Sequence, residues 1–303
     1  MDMTRYVNTF GKYLRERYGE KVHKLSLNAV RSCPNRDGTK GIGGCIFCNN
    51  ESFSPGSSKK TDQSIKLQIA KGRQEVQERT GAKKFLGYFQ SYSNTYGDLS
   101  YLKQVWDTTL SEPDMVGLSI GTRPDCLPEE VLDILGQYQQ KGYEIWLELG
   151  LQSSNDATLA RINRGHTFAD YVDGVTRARK HGLKVCTHLI MGLPGEKPSD
   201  ILTSFRQALG YGLDAVKIHP LHIVKGTQLA RQWKHGEVQE LTMEEYTDNL
   251  VKIIQLAPKD LVFHRLTGSG ERDYLLAPDW VMHKWLVLNN LYKKLGNDCL
   301  TYN

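Results

Sequence analysis

Residues 33–48 read CPNRDGTKGIGGCIFC, and this stretch decides how the rest is understood. Cys33, Cys45 and Cys48 form a C-x11-C-x2-C set, with Phe47 directly before the last cysteine. Three thiolates from one loop can hold three corners of a metal centre. A structural zinc site takes four protein ligands in a closed tetrahedron, so its fourth ligand would have to come from afar, for instance from one of the nine histidines. An iron–sulfur cluster held by three cysteines instead of four keeps one iron open to a ligand. Unrelated free thiols are the third reading, although clustered cysteines in a reduced chain more often bind metal. Gly38, Gly41, Gly43 and Gly44 let the loop turn at positive φ and turn backbone N–H groups toward an anionic centre.

Upstream, VHKLSLNAV (22–30) alternates and predicts a strand, which places the cysteines at its C-terminal end. In parallel α/β folds that end is the functional edge. Downstream, a helix is expected over 62–79, after the polar loop 51–60. Strand and helix then alternate: strands at 83–89, 114–122, 143–152, 183–192 and 213–221, with helices at 99–110, 128–140, 168–181, 199–210 and 243–256. Six βα units imply a parallel sheet with right-handed crossovers. A full (β/α)8 barrel needs eight units over about 250 residues. The expectation is therefore α/β: a partial, TIM-like (β/α)6 barrel with an N-terminal helix over 4–19. LVFHRLTG (261–268) is a candidate seventh strand. APDWVMHKWLVLNNLYKKL (277–295) predicts a C-terminal helical extension over the barrel edge. No composition shift marks a boundary. Residues 1–303 form one expected domain, with its core at about 20–270 and an extension over 271–303.

Parallel strands buried on both faces should be nearly pure apolar runs. These carry or end in polar groups: Gln90, Ser91 and Tyr92; Thr122, Arg123 and Asp125; Glu148 within its strand, with Gln152 and Ser153 at the end; His188; Lys217 and His219; and Arg265. Burying so many unpaired polar groups is expensive, so they predict a lined cavity. GLPGE (192–196) lacks the spacing of a phosphate loop. Its glycines read as a close backbone approach to a flat ring or as a turn before the next helix.

The chain has 39% hydrophobic and 24% charged residues and a net charge of +5, ordinary for a globular protein and weaker than most dedicated nucleic-acid binders. Six cysteines make no disulfide scaffold, the N-terminus lacks an apolar signal core, and no run approaches the ~20 apolar residues of a membrane span. A cytoplasmic, reduced location is expected.

The cysteine set with its aromatic at 47 resembles the radical S-adenosylmethionine superfamily, in the long-gap branch related to the elongator catalytic subunit and in the small bacterial YtqA/YhcC type. ELGLQS (148–153), INRGHT (162–167), HLIMGLPGE (188–196) and VKIHPLHIVKGT (216–227) extend the resemblance over most of residues 20–270. The resemblance implies a [4Fe–4S] cluster on Cys33, Cys45 and Cys48, with S-adenosylmethionine on the open iron. It implies Phe47 near the adenine, Glu148 and Gln152 on the ribose or amino group, and Arg164 facing the methionine carboxylate. The backbone of Met191, Gly192, Leu193 and Pro194 would line the adenine site, and Gln90 and Lys217 the reaction cavity. It also implies a one-electron donor such as flavodoxin or ferredoxin. The substrate implied is the wobble uridine of transfer RNA, its C5 side chain remodelled, for example from carboxymethylaminomethyl to aminomethyl. Arg161–Arg164, Lys59, Lys60 and the N-terminal basic residues are candidates for phosphate contacts; Trp233, Trp280 and Trp285 are candidates for base stacking. Two alternatives remain: a radical enzyme acting on a small molecule or protein side chain, and a non-catalytic, zinc-stabilised nucleic-acid-binding protein. Cys126 and Cys186 read as buried small hydrophobes; Cys299 carries no assigned role.

Overall fold

The computed structural model describes residues 2–30, 32–52, 63–268 and 270–298. Cys299, Lys59, Lys60 and most of the polar loop 51–60 lie outside the described residues.

The strands are β1 (Asn8–Thr9), β2 (Val22–Leu27), β3 (Lys84–Phe89), β4 (Met115–Thr122), β5 (Glu144–Gln152), β6 (Lys184–Met191), β7 (Ala215–Pro220), β8 (Ile223–Val224), β9 (Val262–Arg265) and β10 (Leu275–Ala277). The helices are α1 (Phe10–Tyr18), α2 (Ile65–Thr80), α3 (Leu99–Ser111), α4 (Glu129–Gln140), α5 (Asp156–Arg161), α6 (Phe168–Lys180), α7 (Asp200–Gly210), α8 (Gln228–Lys234), α9 (Met243–Leu256) and α10 (Lys284–Asp298). Eight strands form one sheet in the order β1-β9-β7-β6-β5-β4-β3-β2, every neighbouring pair parallel. β8 and β10 form a separate antiparallel pair. The candidate strand at 261–268 is β9, so the partial barrel carries a seventh inner strand.

β1 and β2 are the two edges, and they do not pair. The sheet nevertheless curls until side chains of β2 and β9 meet: Lys24 Nζ lies 3.4 Å from His264 Nδ1. The N-terminal segment is not one helix over 4–19. Thr9 accepts a bond from Lys12 N and starts α1 at Phe10, and Gly19, at φ 71°, ends it. The residues before it add β1 to β9.

α1 plugs the N-terminal end of the barrel. Phe10 stacks near His264, with centroids 3.8 Å apart, and meets Trp146 edge-on at 5.6 Å. Fully buried Glu144, first residue of β5, accepts from Tyr13 Oη at 2.8 Å and pairs with Lys184 and Arg17, each at 2.6 Å. The N-terminal basic residues thus sit at the end opposite the cysteine loop.

Strand alternation builds two layers. On β5, Ile145, Leu147, Leu149 and Leu151 face the helices in the main core, each burial stabilising by about 1.5–3 kcal/mol. Trp146, Glu148, Gly150 and Gln152 face the interior. The C-terminal extension differs from its expectation. Leu275–Ala277 is strand, Pro278 precedes a short 3-10 turn at Asp279–Met282, and the helix begins only at Lys284. α10 packs on α9, and Tyr292 meets Tyr6 edge-on at 5.4 Å beside the β1 edge. α5, α8, β8 and β10 were not foreseen. Asn155 explains α5, its side chain capping Ala157 N and Thr158 N.

Candidate active site

The segment after β2 folds on its own backbone. Arg36 N and Asp37 N donate to Cys33 O at 2.7 and 3.2 Å, and Gly44 N donates to Asn35 O at 2.8 Å. A Cβ on Gly44, at φ +80°, would lie 2.8 Å from Arg36 Nε. Glycine there leaves room for Arg36, whose Nη2 donates to Cys48 O at 3.0 Å. Ile46 pins the loop to the scaffold: its N–H donates to Ile162 O at 3.1 Å, and its carbonyl accepts from Leu229 N at 2.9 Å. Its side chain enters a small core with Leu159, Leu193 and Leu229, on which Phe47 packs.

Cys33, Cys45 and Cys48 are free thiols lining one cavity of about 260 Å³. Ser93 Oγ lies 3.4 Å from Cys33 Sγ, and Arg164 Nη1 lies 3.5 Å from Cys45 Sγ. Burial, then the neighbouring Cys45, pushes the Cys48 thiol up to about 12. Among the described residues no group of three His, Cys, Asp or Glu side chains is arranged to hold a single metal ion. The four-ligand zinc reading therefore lacks its set. Three thiols on one cavity, with hydrogen-bond donors beside two of the sulfurs, fit an iron–sulfur cluster that leaves one iron open.

Arg164 is buried. Its Nη2 donates to Gly150 O at 2.6 Å and its Nε to His166 Nε2 at 2.9 Å. Its guanidinium is thereby held against Cys45. Arg123 fixes this turn, its Nη1 donating to Arg164 O at 2.7 Å while Asp125 grips its other side at 2.9 Å. Arg161 donates to Pro194 O at 3.1 Å. Of the basic stretch 161–164, Arg164 thus works inside the fold, whereas Arg161 is exposed.

Glu148 is fully buried at the centre of the barrel. Lys24 pairs with one oxygen, which also accepts from Ser119 Oγ at 2.5 Å; Lys217 and His188 meet the other at 3.0 and 2.7 Å. His264 Nδ1 lies 3.3 Å away. Burial would raise this carboxyl, but Lys217 and Lys24 outweigh it and hold it well below its ordinary range. Both oxygens are engaged with protein groups, so Glu148 organises the interior and has no free oxygen for a ribose. Burial brings Lys217 down to about 8, opposed by Glu148; its Nζ also donates to Tyr88 Oη at 2.5 Å. His188 falls to about 4 and His264 to about 3, each through burial first.

Gln90, Gln152 and Phe47 line the cavity. Gln152 does so at φ 75°, a conformation unusual for a side-chain-bearing residue. Met191, Gly192, Leu193 and Pro194 do not line it. Alternation along β6 turns His188 and Ile190 inward, whereas Met191 enters the helix-side core and Leu193 the core under Phe47. Lys24, Tyr88, Ser119 and His264 escaped the sequence reading. Lys24 shares the inward face with Val22, two residues earlier, but a lysine on an edge strand reads as solvated. Trp280 donates to Leu241 O at 2.8 Å and Trp233 bonds Glu240, leaving Trp285 the exposed one of the three. Cys126 and Cys186 are buried. Among the described residues no helix is long and apolar enough to cross a membrane.

The family model described as the radical SAM superfamily matches residues 28–208, and the radical SAM C-terminal domain matches 213–297. Protein YhcC of Escherichia coli K12 is 45% identical over 296 residues, covering 98% of this chain and 94% of that protein. Elongator complex protein 3 of Schizosaccharomyces pombe is 30% identical over 151 residues, 49% of this chain and 27% of that protein. The solved structure of archaeal Methanocaldococcus infernus Elp3 shares the fold, with a TM-score of 0.65 at 21% identity over 90% of this chain and 63% of that one. Loop, cavity and sequence agree: the chain belongs to the radical SAM superfamily, whose cofactors are a [4Fe–4S] cluster and S-adenosylmethionine.

Proposed function

We propose that this chain remodels the C5 side chain of a transfer-RNA wobble uridine, taking carboxymethylaminomethyl to aminomethyl. The bond from nitrogen to the carboxymethyl carbon breaks, the two-carbon unit leaves as glyoxylate with oxygen from water, and its two electrons go to S-adenosylmethionine, which leaves as methionine and 5′-deoxyadenosine. The observation that carries this reading is the cationic cavity beside the cysteine loop. At about 260 Å³ it is far too small for a folded duplex. The partial likeness to elongator complex protein 3 supports the substrate class.

When bound, the cluster and S-adenosylmethionine supply a carbon radical able to abstract hydrogen from a substrate. Cys33, Cys45 and Cys48 would hold the cluster, with Arg36 and Arg164 balancing its charge. Phe47 offers an apolar face for the adenine. Gln90 and Gln152 bring amides that can both donate and accept to the same cavity. The Glu148 network fixes Lys217 and Tyr88 beneath them. Packed walls and the α1 plug keep bulk water from the reacting groups. A one-electron donor such as flavodoxin or ferredoxin would have to reach the cluster.

The test is anaerobic reconstitution with dithionite, S-adenosylmethionine and transfer RNA from cells lacking this gene, followed by nucleoside chromatography and mass spectrometry. Carboxymethylaminomethyluridine should fall as aminomethyluridine rises. Release of 5′-deoxyadenosine with unchanged nucleosides would overturn the RNA reading. It would favour a small-molecule or protein side-chain substrate, which the burial of Arg164 also suits.

A further inference from the structure

Arg265 ends β9 and lines the cavity. Its guanidinium forms no hydrogen bond or ion pair among the described residues. Lys217 is its register partner on β7, and Lys217, His219, His222 and Tyr88 line the same cavity. The interior carboxylate, Glu148, is already held by Lys24 and Lys217. Three permanent or near-permanent cations thus face one carboxylate inside a low-dielectric barrel, an excess that an anionic ligand would neutralise.

His222 strengthens the case. Its Nε2 is buried with no hydrogen-bond partner, and such orphaned atoms are rare. It lies against Gly268, where a Cβ would come within 2.9 Å of that nitrogen. The cysteine loop has its own cations. Arg36 Nη2 donates to Cys48 O at 3.0 Å, and Arg164 Nη1 lies 3.5 Å from Cys45 Sγ.

We propose that Arg265, assisted by His222, is the specificity residue that receives the carboxylate of the substrate's side chain. This rests on the proposed function above. A planar guanidinium matches a carboxylate with two parallel bonds. A backbone phosphate offers the same oxygens, but it would have to leave the RNA surface and enter a cavity of about 260 Å³. A carboxylate at the tip of a base's side chain reaches this depth naturally.

The test uses the anaerobically loaded enzyme and two anticodon stem-loops, identical except that one carries carboxymethylaminomethyluridine and the other its neutral methyl ester. The wild type should bind the acid about tenfold more tightly or better, the scale of one hydrogen bond to a charged group. Arg265→Gln should erase that preference, and Arg265→Lys should keep part of it. A preference that persists in Arg265→Gln overturns the proposal. So does equal weakening of both stem-loops, which would mark a phosphate contact. Conversion of the acid stem-loop by a wild type that binds acid and ester alike overturns the subsite and leaves the function standing. Failure of the wild type to bind or convert either stem-loop overturns both.

Discussion

Lys217 Nζ lies 3.0 Å from a Glu148 oxygen at the centre of the barrel, and both side chains are buried. The pair joins β7 to β5, and Lys24 ties the same carboxylate to the edge strand β2. One buried carboxylate thus clasps a sheet that hydrogen bonds leave open. Glu148→Ala should destabilise the fold by about 3–5 kcal/mol, because it strands two lysines. Glu148→Gln, similar in shape, should lose less. Urea unfolding of the two variants checks the order.

The same network sets a pH dependence. The Glu148 carboxyl is depressed in the folded state, so its stabilisation is present above its ordinary value of 4.5 and is lost as the pH falls through the folded value. Melting temperature should therefore decline in acid, less steeply in Glu148→Gln. Lys217, at about 8, loses its proton as pH rises past that point. Substrate binding should weaken above it. Lys217→Arg, which cannot deprotonate there, should move the alkaline limb upward. Binding measured across the pH range tests this.

Ser93 Oγ beside Cys33 Sγ predicts a supporting role for a residue that is no ligand. Ser93→Ala should lower cluster affinity by about tenfold or more, read as iron retained after desalting. Cys45→Ala should retain little iron and release no 5′-deoxyadenosine.

A Cβ at Gly150 would stand 2.6 Å from Arg164 Nη2. Gly150→Ala should push that guanidinium off Cys45, at a stability loss of about 1–3 kcal/mol. The expected signature is a shifted cluster spectrum with secondary structure intact by circular dichroism.

Phe10, wedged against His264 and Trp146, closes the end of the barrel away from the cysteines. Phe10→Ala should cost about 3–5 kcal/mol and speed hydrogen exchange of the amides at the starts of β5 and β9. An unchanged exchange pattern would show that α1 is not the plug.

Local pattern made much of this legible. The strands and helices of the βα rhythm lie close to their expected bounds, because a strand buried on both faces and an amphipathic crossover helix leave different apolar periods. The loop cysteines were readable from their spacing, and the polar groups on the strands because they depart from what an apolar strand should contain. Gln90 and Gln152 followed from strand position, and Phe47 from its place before the last loop cysteine.

What alternation could not supply was the pairing of side chains far apart in the chain. The sequence shows Glu148 as a polar residue within a strand; only the curl of the sheet brings Lys24, Ser119, His188, Lys217 and His264 onto it and engages both its oxygens. Met191 and Leu193 belong to motifs that resemble a cofactor site, yet the facing of β6 sends their side chains into the packed layers. Arg164 looked free for a ligand until Gly150 O and Cys45 came within its reach. Arg265 looked like one polar end among several, and among the described residues the tertiary structure gives it no ion pair. Backbone periodicity is encoded over a few neighbouring residues, whereas charge pairing depends on three-dimensional distance, which the closing of the barrel sets.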